Sequence, residues 1–144
     1  MATYNKFNLF TQDLTRGVHD FASGAQTFNV MLTNTAPVAT NHLYGDISAN
    51  ELANGGGYTT GGQSSAMSDS STSGTEKVLA TNITWTGTSG GTGSFRYVVI
   101  YNTTPTSPLK PLVCWFDYGS SISLNSGDTF TVSFDGTNGL FQIT

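Results

Sequence analysis

Acid–base chemistry in this chain would have to come from a small set of carboxylates. The 144 residues include nine of them, which are Asp13, Asp20, Asp46, Glu51, Asp69, Glu76, Asp117, Asp128 and Asp135. A pair of carboxylates can hydrolyse a glycosidic bond, but the sequence places no two of these together. Asp128 and Asp135 fall in predicted turns, where an Asp side chain bonds the local backbone. We therefore predict a structural role for those two residues and no catalytic pair.

His19, His42 and Cys114 are the remaining candidates for metal binding or nucleophilic chemistry. They cannot complete a four-ligand zinc site without carboxylates, and their spacing matches no zinc pattern. The ligand spacing of an EF-hand and the G-x-S-x-G turn of a serine hydrolase are also absent from the sequence. A lone cysteine forms no internal disulfide. We predict that Cys114, within the apolar stretch LVCW, is buried and that His19 is structural or solvated, with no catalytic residue, metal site or cofactor and no enzymatic activity.

The segment from Asn54 to Gly62 reads NGGGYTTGG, a glycine cluster around one tyrosine. A phosphate-binding glycine loop needs a strand before it and a helix N-terminus after it. The residues that follow are poor helix formers, and no lysine follows the glycines, which argues against phosphate binding. We predict a shaped loop in which glycine permits positive φ and close backbone contact. Two roles for Tyr58 stay open: it anchors a partner, or it pins the loop onto its own domain.

The composition is poor in charge. Charged residues make up 10% of the chain and the net charge is −4, against about 25% charged residues in an average soluble domain. The five basic residues are scattered, so no basic stripe exists to bind a nucleic acid backbone. The start, MATYNKFNLFTQD, lacks the pattern of a secretory signal, and no apolar run approaches the roughly 20 residues that cross a bilayer. We expect folding in a cytosol, without nucleic-acid or membrane partners.

The first half of the chain is predicted to hold one helix, one strand and a long loop. Apolar residues at spacings of three and four, the period of one helix face, are Phe7, Phe10, Leu14, Val18 and Phe21. They predict an amphipathic helix over about 4–22. Alternation predicts a half-buried strand over about 26–34. Residues 35–74 show no sustained period and are predicted to form a long Gly/Ser-rich loop, a length typical of functional loops.

Residues 75–144 are predicted to form β-strands throughout. Apolar runs such as SFRYVVIYN and LVCWFDYG indicate buried strands, and TFTVSFD alternates so that Phe130, Val132 and Phe134 face inward. The last residues, LFQIT, are predicted to pair with the strand before them. Short antiparallel strands at this spacing predict an all-β fold, a β-sandwich or barrel-like domain. We treat residues 1–144 as a single domain.

Several stretches together resemble a known group of proteins. They are YNKFNLFTQDL, LTNTAPVATN, GYT-x-GG, RYVVIYN and WFDYGSSI followed by SGDTFTVSFDGTNG. The chain resembles, over nearly its whole length, small structural virion proteins of tailed bacteriophages, of the head decoration or cement kind. The resemblance carries no catalytic residues.

The resemblance implies a role on the outside of a phage head. A decoration protein bridges major capsid subunits and stabilises the shell, so the implied partners are the major capsid protein and further copies of the chain, with a trimer favoured. The implied location is the surface of the virion head, after assembly in the host bacterial cytoplasm. The side chains predicted to contact capsid or neighbouring subunits are Phe7, Phe10, Leu14, Leu43, Tyr44, Tyr58, Thr59 and Thr60.

Two other roles remain open from the sequence. The chain could be a tail, neck or fibre component of the same particle. It could also be a carbohydrate-binding surface module, because β-sandwiches often hold sugars on exposed aromatic rings. The candidates for such a surface are Tyr58, Trp85 and Tyr118, although Trp85 and Trp115 are expected in the core.

Overall fold

The structure is a computed structural model that describes residues 2–144. It is mostly β, with one short α-helix, α1 (Phe10–Thr15), and two 3₁₀ turns at Tyr44–Asp46 and Ser48–Asn50. The strands are β1 (Thr3–Lys6), β2 (Phe28–Thr33), β3 (Gln63–Ser65), β4 (Met67–Thr72), β5 (Thr75–Ala80), β6 (Ile83–Thr86), β7 (Phe95–Asn102), β8 (Leu112–Ile122), β9 (Thr129–Val132) and β10 (Phe141–Ile143).

The strands form three antiparallel sheets. The largest has the order β1-β8-β7-β2-β3, the second has the order β10-β5-β4, and the third consists of β6 and β9. The outer strands of the first sheet, β1 and β3, do not pair with each other, so the sheet is open rather than closed into a barrel over the residues described. The expectation of an all-β, antiparallel fold is confirmed.

The centre of the five-stranded sheet is buried on both faces. Val98, Val99, Ile100 and Tyr101 follow one another in β7 and are all buried, and successive side chains of a strand point to opposite faces. Strand β2 is also covered on both sides, since Met31 is fully buried between two buried neighbours. The prediction that this strand is only half-buried was therefore wrong.

The N-terminal helix predicted over 4–22 is not formed at that length. Residues 3–6 are instead strand β1, which pairs with β8, and α1 spans only six residues. The helix ends at Gly17, which has φ +70° and donates its N–H to the Leu14 carbonyl, because a glycine in the left-handed conformation closes a helix. The apolar residues Phe7, Phe10 and Phe21 lie in the core, but Phe7 and Phe21 lie outside the helix.

Residues 35–74 are more ordered than predicted. They contain both 3₁₀ turns, β3 and β4, and an isolated bridge joins Thr33 to Glu51. Strand β3 continues the main sheet by pairing with β2. The last strand, β10, pairs with β5 through Phe141 and Val78, so the prediction that it pairs with the strand before it was wrong.

Gly62 lies against the backbone of β2 where the chain enters β3. Its φ is +71°, and a Cβ placed there would lie 2.0 Å from the Val30 carbonyl oxygen. Its neighbour Gly61 also has a positive φ, +97°, but a Cβ there would meet only the Tyr101 hydroxyl, at 3.8 Å. Both glycines therefore have a positive φ, which is unfavourable for other residues, but only Gly62 lacks room for a Cβ atom.

We expect Gly61→Ala to lower the free energy of unfolding by about 1–2 kcal/mol, the cost of a left-handed conformation. Gly62→Ala should lower it by on the order of 4 kcal/mol or more, because the main chain of β2 must also move. Urea denaturation of both variants measures the difference. Equal losses at the two positions would mean that the segment does not pack on β2 as described.

Candidate functional site

The glycine–tyrosine segment is held by the carboxylate of Glu51. One carboxylate oxygen accepts hydrogen bonds from the Tyr58 hydroxyl (2.5 Å) and the Gly61 N–H (2.6 Å), and the other accepts one from the Tyr44 hydroxyl (2.5 Å). Hydrogen bonds to an ionised acceptor are about twice as strong as those between neutral groups. A single side chain thus ties residues 44, 58 and 61 together.

Tyr58 is buried, with 2% of its surface exposed. Its hydroxyl donates to Glu51 and accepts the Leu32 N–H of β2 (3.1 Å). Burial, followed by the hydrogen bond to Glu51, raises the pKa of Tyr58 above its ordinary value. Of the two roles left open, the structure favours the one in which Tyr58 pins the loop onto its own chain.

The segment is also in close contact with the chain around it. A Cβ at Gly56 would lie 1.7 Å from the Gly91 carbonyl oxygen, and one at Gly57 would lie 2.0 Å from the Thr86 carbonyl oxygen. Only glycine permits the backbone to approach so closely. Gly56 and Gly57 are therefore required by packing, which fits the prediction of a shaped loop.

The structure separates the predicted contact residues into three groups. Phe7, Phe10 and Tyr58 are buried in the core, so they are not available to a partner, which corrects that part of the prediction. The side chains of intermediate exposure are Leu14, Leu43 and Tyr44. Thr59 and Thr60 are exposed beside the pinned tyrosine and remain candidates for contact.

Glu51 was missed as a functional residue. The sequence placed it only within the long loop predicted over residues 35–74. Tyr44 and Tyr58 each lie seven residues from Glu51, which is the spacing of two helical turns. Because residues 44–58 form no continuous helix, that spacing gave no usable signal. Tyr44 is further fixed by stacking on Tyr101, with ring centroids 4.7 Å apart.

An open groove of about 750 Å³ lies between β1, β8 and β9. Five rings line it, those of Tyr4, Phe116, Tyr118, Phe130 and Phe134. Tyr4 is 38% exposed and Tyr118 is 50% exposed, so these two rings are open to solvent. We call this feature the aromatic groove; alternation in TFTVSFD predicted inward-facing Phe130 and Phe134, but not that a groove lies beside them.

The carbohydrate-binding candidates do not form one surface. Trp85 is 1% exposed and Tyr58 is 2% exposed, and their rings lie 6.2 Å apart in the core. Only Tyr118 is exposed, at the aromatic groove. The burial of Trp85 and of Trp115, which is 9% exposed, agrees with the expectation that both belong to the core.

Several charged side chains are paired with one another. Arg96 donates two hydrogen bonds to Asp117, at 2.7 and 2.9 Å, and this guanidinium holds the pKa of Asp117 below its ordinary value. The His42 Nε2 lies 2.7 Å from a carboxylate oxygen of the buried Asp13. The contact between His42 and Asp13 joins residue 42 to α1, and the contact between Arg96 and Asp117 joins β7 to β8.

Asp128 and Asp135 bond the local backbone, as predicted. Asp128 accepts the N–H of Asn125 (2.9 Å), and Asp135 accepts those of Thr137 (2.7 Å) and Asn138 (3.1 Å). The hydrogen bond from the Asn138 side chain, followed by these backbone bonds, lowers the pKa of Asp135. Both carboxylates therefore shape turns.

Cys114 is fully buried, as predicted, and burial raises the pKa of its thiol. Among residues 2–144, no three His, Cys, Asp or Glu side chains lie together in a way that could hold a metal ion. Within the same range, no helix has the length and apolar character needed to cross a bilayer.

His19 is buried against aromatic rings. It lies 5.3 Å from Phe10 and 5.9 Å from Phe21, measured between ring centroids, and its Nδ1 lies 3.2 Å from the Asn102 side-chain nitrogen. Because that nitrogen donates, Nδ1 accepts and the neutral ring carries its proton on Nε2. Burial lowers the pKa of His19 to about 4.

We expect this histidine to make stability depend on pH. The folded-state pKa of about 4 lies below the unfolded value of about 6.5, so between these values the unfolded chain binds the proton and the folded chain does not. The free energy of unfolding should therefore fall by up to about 1.4 kcal/mol per pH unit on acidification through this window. Below it, the contribution of His19 levels off.

The matched experiment compares urea denaturation of the wild type and His19→Gln at a series of pH values from 7 to 4. The variant should lose the part of the slope that comes from His19, whatever its stability at neutral pH. A variant with the full wild-type slope would contradict the assignment.

Comparison of the chain with protein-family models, with curated proteins and with solved structures found no match.

Proposed function

We propose that the chain is a structural protein of a tailed-bacteriophage virion, most specifically a decoration or cement protein of the head. The proposal rests first on the resemblance carried by RYVVIYN, the GYT-x-GG segment and the SGDTFTVSFDGTNG run. It describes a protein that acts by contact between surfaces and catalyses no reaction.

The observation that carries the proposal is the pinned loop with Thr59 and Thr60 exposed beside Tyr58. A contact surface gains affinity when it is already rigid, because less conformational entropy is lost on binding. The Glu51 hydrogen bonds and the close-packed glycines supply that rigidity. Uncharged hydroxyl groups suit a contact that must form without desolvating ions.

We further propose a β-sandwich within a single domain over residues 1–144. The β6–β9 pair lies over the main sheet, with Phe130 packed on Phe95 at 5.0 Å between ring centroids. The three-stranded sheet reaches the same core through Phe141, which packs on Phe10 at 5.2 Å. Two layers of sheet around one core are the usual form of a sandwich.

The proposed partners are the major capsid protein and further copies of the chain, as a homo-oligomer with a trimer favoured. Closed cyclic symmetry would repeat the Thr59–Thr60 surface around one axis. Several weak contacts made at once would then give firm attachment. Because the protein would bind only the assembled shell, its binding at the head surface would stabilise that shell. Assembly would take place in the host bacterial cytoplasm, without nucleic-acid or membrane partners.

A double variant, Thr59→Glu with Thr60→Glu, tests this surface. In shells of the phage that encodes the chain, we expect its occupancy to fall by about tenfold or more, because two carboxylates would lose water in the contact. Stability should change by less than about 0.5 kcal/mol, as is usual at exposed positions. Sedimentation with shells and quantification of the bound protein give the occupancy.

The control carries the same charge change at Ser123→Glu with Ser126→Glu, which are exposed in the turn after β8, and it should keep the occupancy of the wild type. Equal occupancy of the Thr59/Thr60 variant and the wild type would contradict the contact. The copy number of the wild type in the virion distinguishes a head role from a tail or neck role. A copy number that matches the number of capsid subunits supports decoration, whereas the copy number of a single ring or fibre supports the tail or neck.

A further inference from the structure

The backbone of β9 has one edge without a strand beside it. Its register with β6 pairs Phe130 with Trp85 and Val132 with Ile83. The N–H of Gly87 donates to the Asp128 carbonyl at 2.8 Å, which fixes the phase of the ladder. Because hydrogen-bonded pairs alternate with non-bonded pairs in an antiparallel ladder, Phe130 and Val132 bond to β6.

The intervening residues therefore direct their backbone groups the other way. Thr131 forms a non-bonded pair with Thr84, and their hydroxyl oxygens lie 2.8 Å apart, as expected for the pair type with the closer side chains. The N–H and C=O groups of Thr131, and those of Ser133 after it, point away from β6. In the part of the chain that the structure describes, no strand pairs with this edge.

This free edge borders the aromatic groove. Residues 130–135 line the groove without a gap in the sequence. Alternate side chains of a strand point to opposite faces, so a groove that meets consecutive residues faces the edge of the strand. The opposite wall carries Tyr4 from β1 and Phe116 and Tyr118 from β8. Unpaired backbone groups thus lie next to an apolar cavity.

These two features together match the needs of an extended peptide. When a peptide adds to a sheet edge, its main chain supplies affinity, and pockets for alternate side chains supply specificity. A saccharide fits less well. The Thr131 hydroxyl is already bonded to Thr84, and the Asp135 carboxylate is bonded to its own turn. The other hydrogen-bonding side chains of the lining are the hydroxyls of Tyr4, Tyr118, Ser120 and Ser133.

The charge of the groove selects the occupant further. Its lining contains the carboxylate of Asp135 and no lysine or arginine. Lys77, whose charge acts on Asp135, does not line the groove, and the whole chain has a net charge of −4. An acidic segment would be repelled, and a second copy docked through this same groove would bring two Asp135 carboxylates together. A basic or uncharged segment of a different protein is the complementary occupant.

We propose that the aromatic groove binds an extended segment of another protein, which adds as a strand to the free edge of β9. The segment has apolar side chains at alternate positions, for the ring-lined cavity, and no acidic residues. The inference does not depend on the proposed virion role, since it concerns the isolated chain and a peptide.

The test uses nuclear magnetic resonance of the full chain with synthetic peptides of the form Lys-Val-Thr-Phe-Thr-Val-Lys, with Val, Ile, Phe or Tyr at the apolar positions. Binding should shift the amide signals of Thr131 and Ser133 and slow their hydrogen exchange about tenfold or more. The amides of Phe130 and Val132, already bonded to β6, should change much less.

Two backbone-methylated peptides provide the matched control. One is N-methylated at its apolar residues and the other at its threonines, and only one of these sets of N–H groups can face β9. One methylated peptide should therefore lose binding while the other keeps it. A peptide with Glu in place of Lys should bind about tenfold more weakly or worse.

Side-chain variants locate the binding. Tyr118→Ala should weaken binding of the best peptide about fivefold or more, whereas Leu109→Ala, at a residue that is 57% exposed and outside the groove, should leave it unchanged. The proposal is overturned if no peptide shifts Thr131 and Ser133 at millimolar concentration. It is equally overturned if both methylated peptides bind alike, if the Glu peptide binds as well, or if neutral saccharides give the same shifts.

Discussion

The carboxylate of Glu51 is the contact on which the order of residues 44–62 depends. This part of the chain has two short 3₁₀ turns, and backbone bonds such as Leu52 N–H to the Leu32 carbonyl (2.8 Å) attach parts of it to the sheet. Glu51 is the group that joins its two ends to each other. Three donors from residues 44, 58 and 61 converge on one ionised group, and the Tyr58 hydroxyl passes the constraint on to β2. Without that acceptor, buried hydroxyl and N–H groups would lack a partner, which is costly in a core.

The strands differ in how completely the rest of the chain covers their faces and edges. The central strands β2 and β7 are covered on both faces and supply the stable core. Strand β9 of the two-stranded sheet has no pairing strand, among residues 2–144, on the edge that borders the aromatic groove. A molecule of this kind combines a rigid interior with surfaces that are suited to contact. That combination is consistent with a proposed role in holding neighbouring proteins together.

Local patterns predicted the features that depend on local interactions. The apolar runs located β7 and β8, and the turn residues Asp128 and Asp135 bond their neighbours as expected. The N-terminal helix was predicted far too long because β1 is determined by pairing with β8, more than one hundred residues away. Periodicity of the side chains carries no information about such a partner.

The candidate site was less accessible to prediction for the same reason. The sequence identified a shaped loop at NGGGYTTGG, and left open which way Tyr58 points. The hydrogen bonds at Glu51 and the aromatic groove beside β9 depend on tertiary packing and on strand register. Neither can be inferred from the spacing of residues in the sequence. Three predicted contact residues, Phe7, Phe10 and Tyr58, proved to be core residues, because the sequence does not distinguish an aromatic side chain that fits an interior from one that fits an interface.

Backbone relaxation of residues 54–62 in the wild type and in Glu51→Gln tests the central claim most directly. Glutamine keeps the size of the side chain but replaces one acceptor oxygen by a donor, so it cannot receive all three hydrogen bonds. The account predicts order parameters near 0.85 in the wild type, as in rigid backbone, and a fall toward the flexible range below about 0.6 in the variant. A loop that is already flexible in the wild type, or equally rigid in the variant, would contradict it.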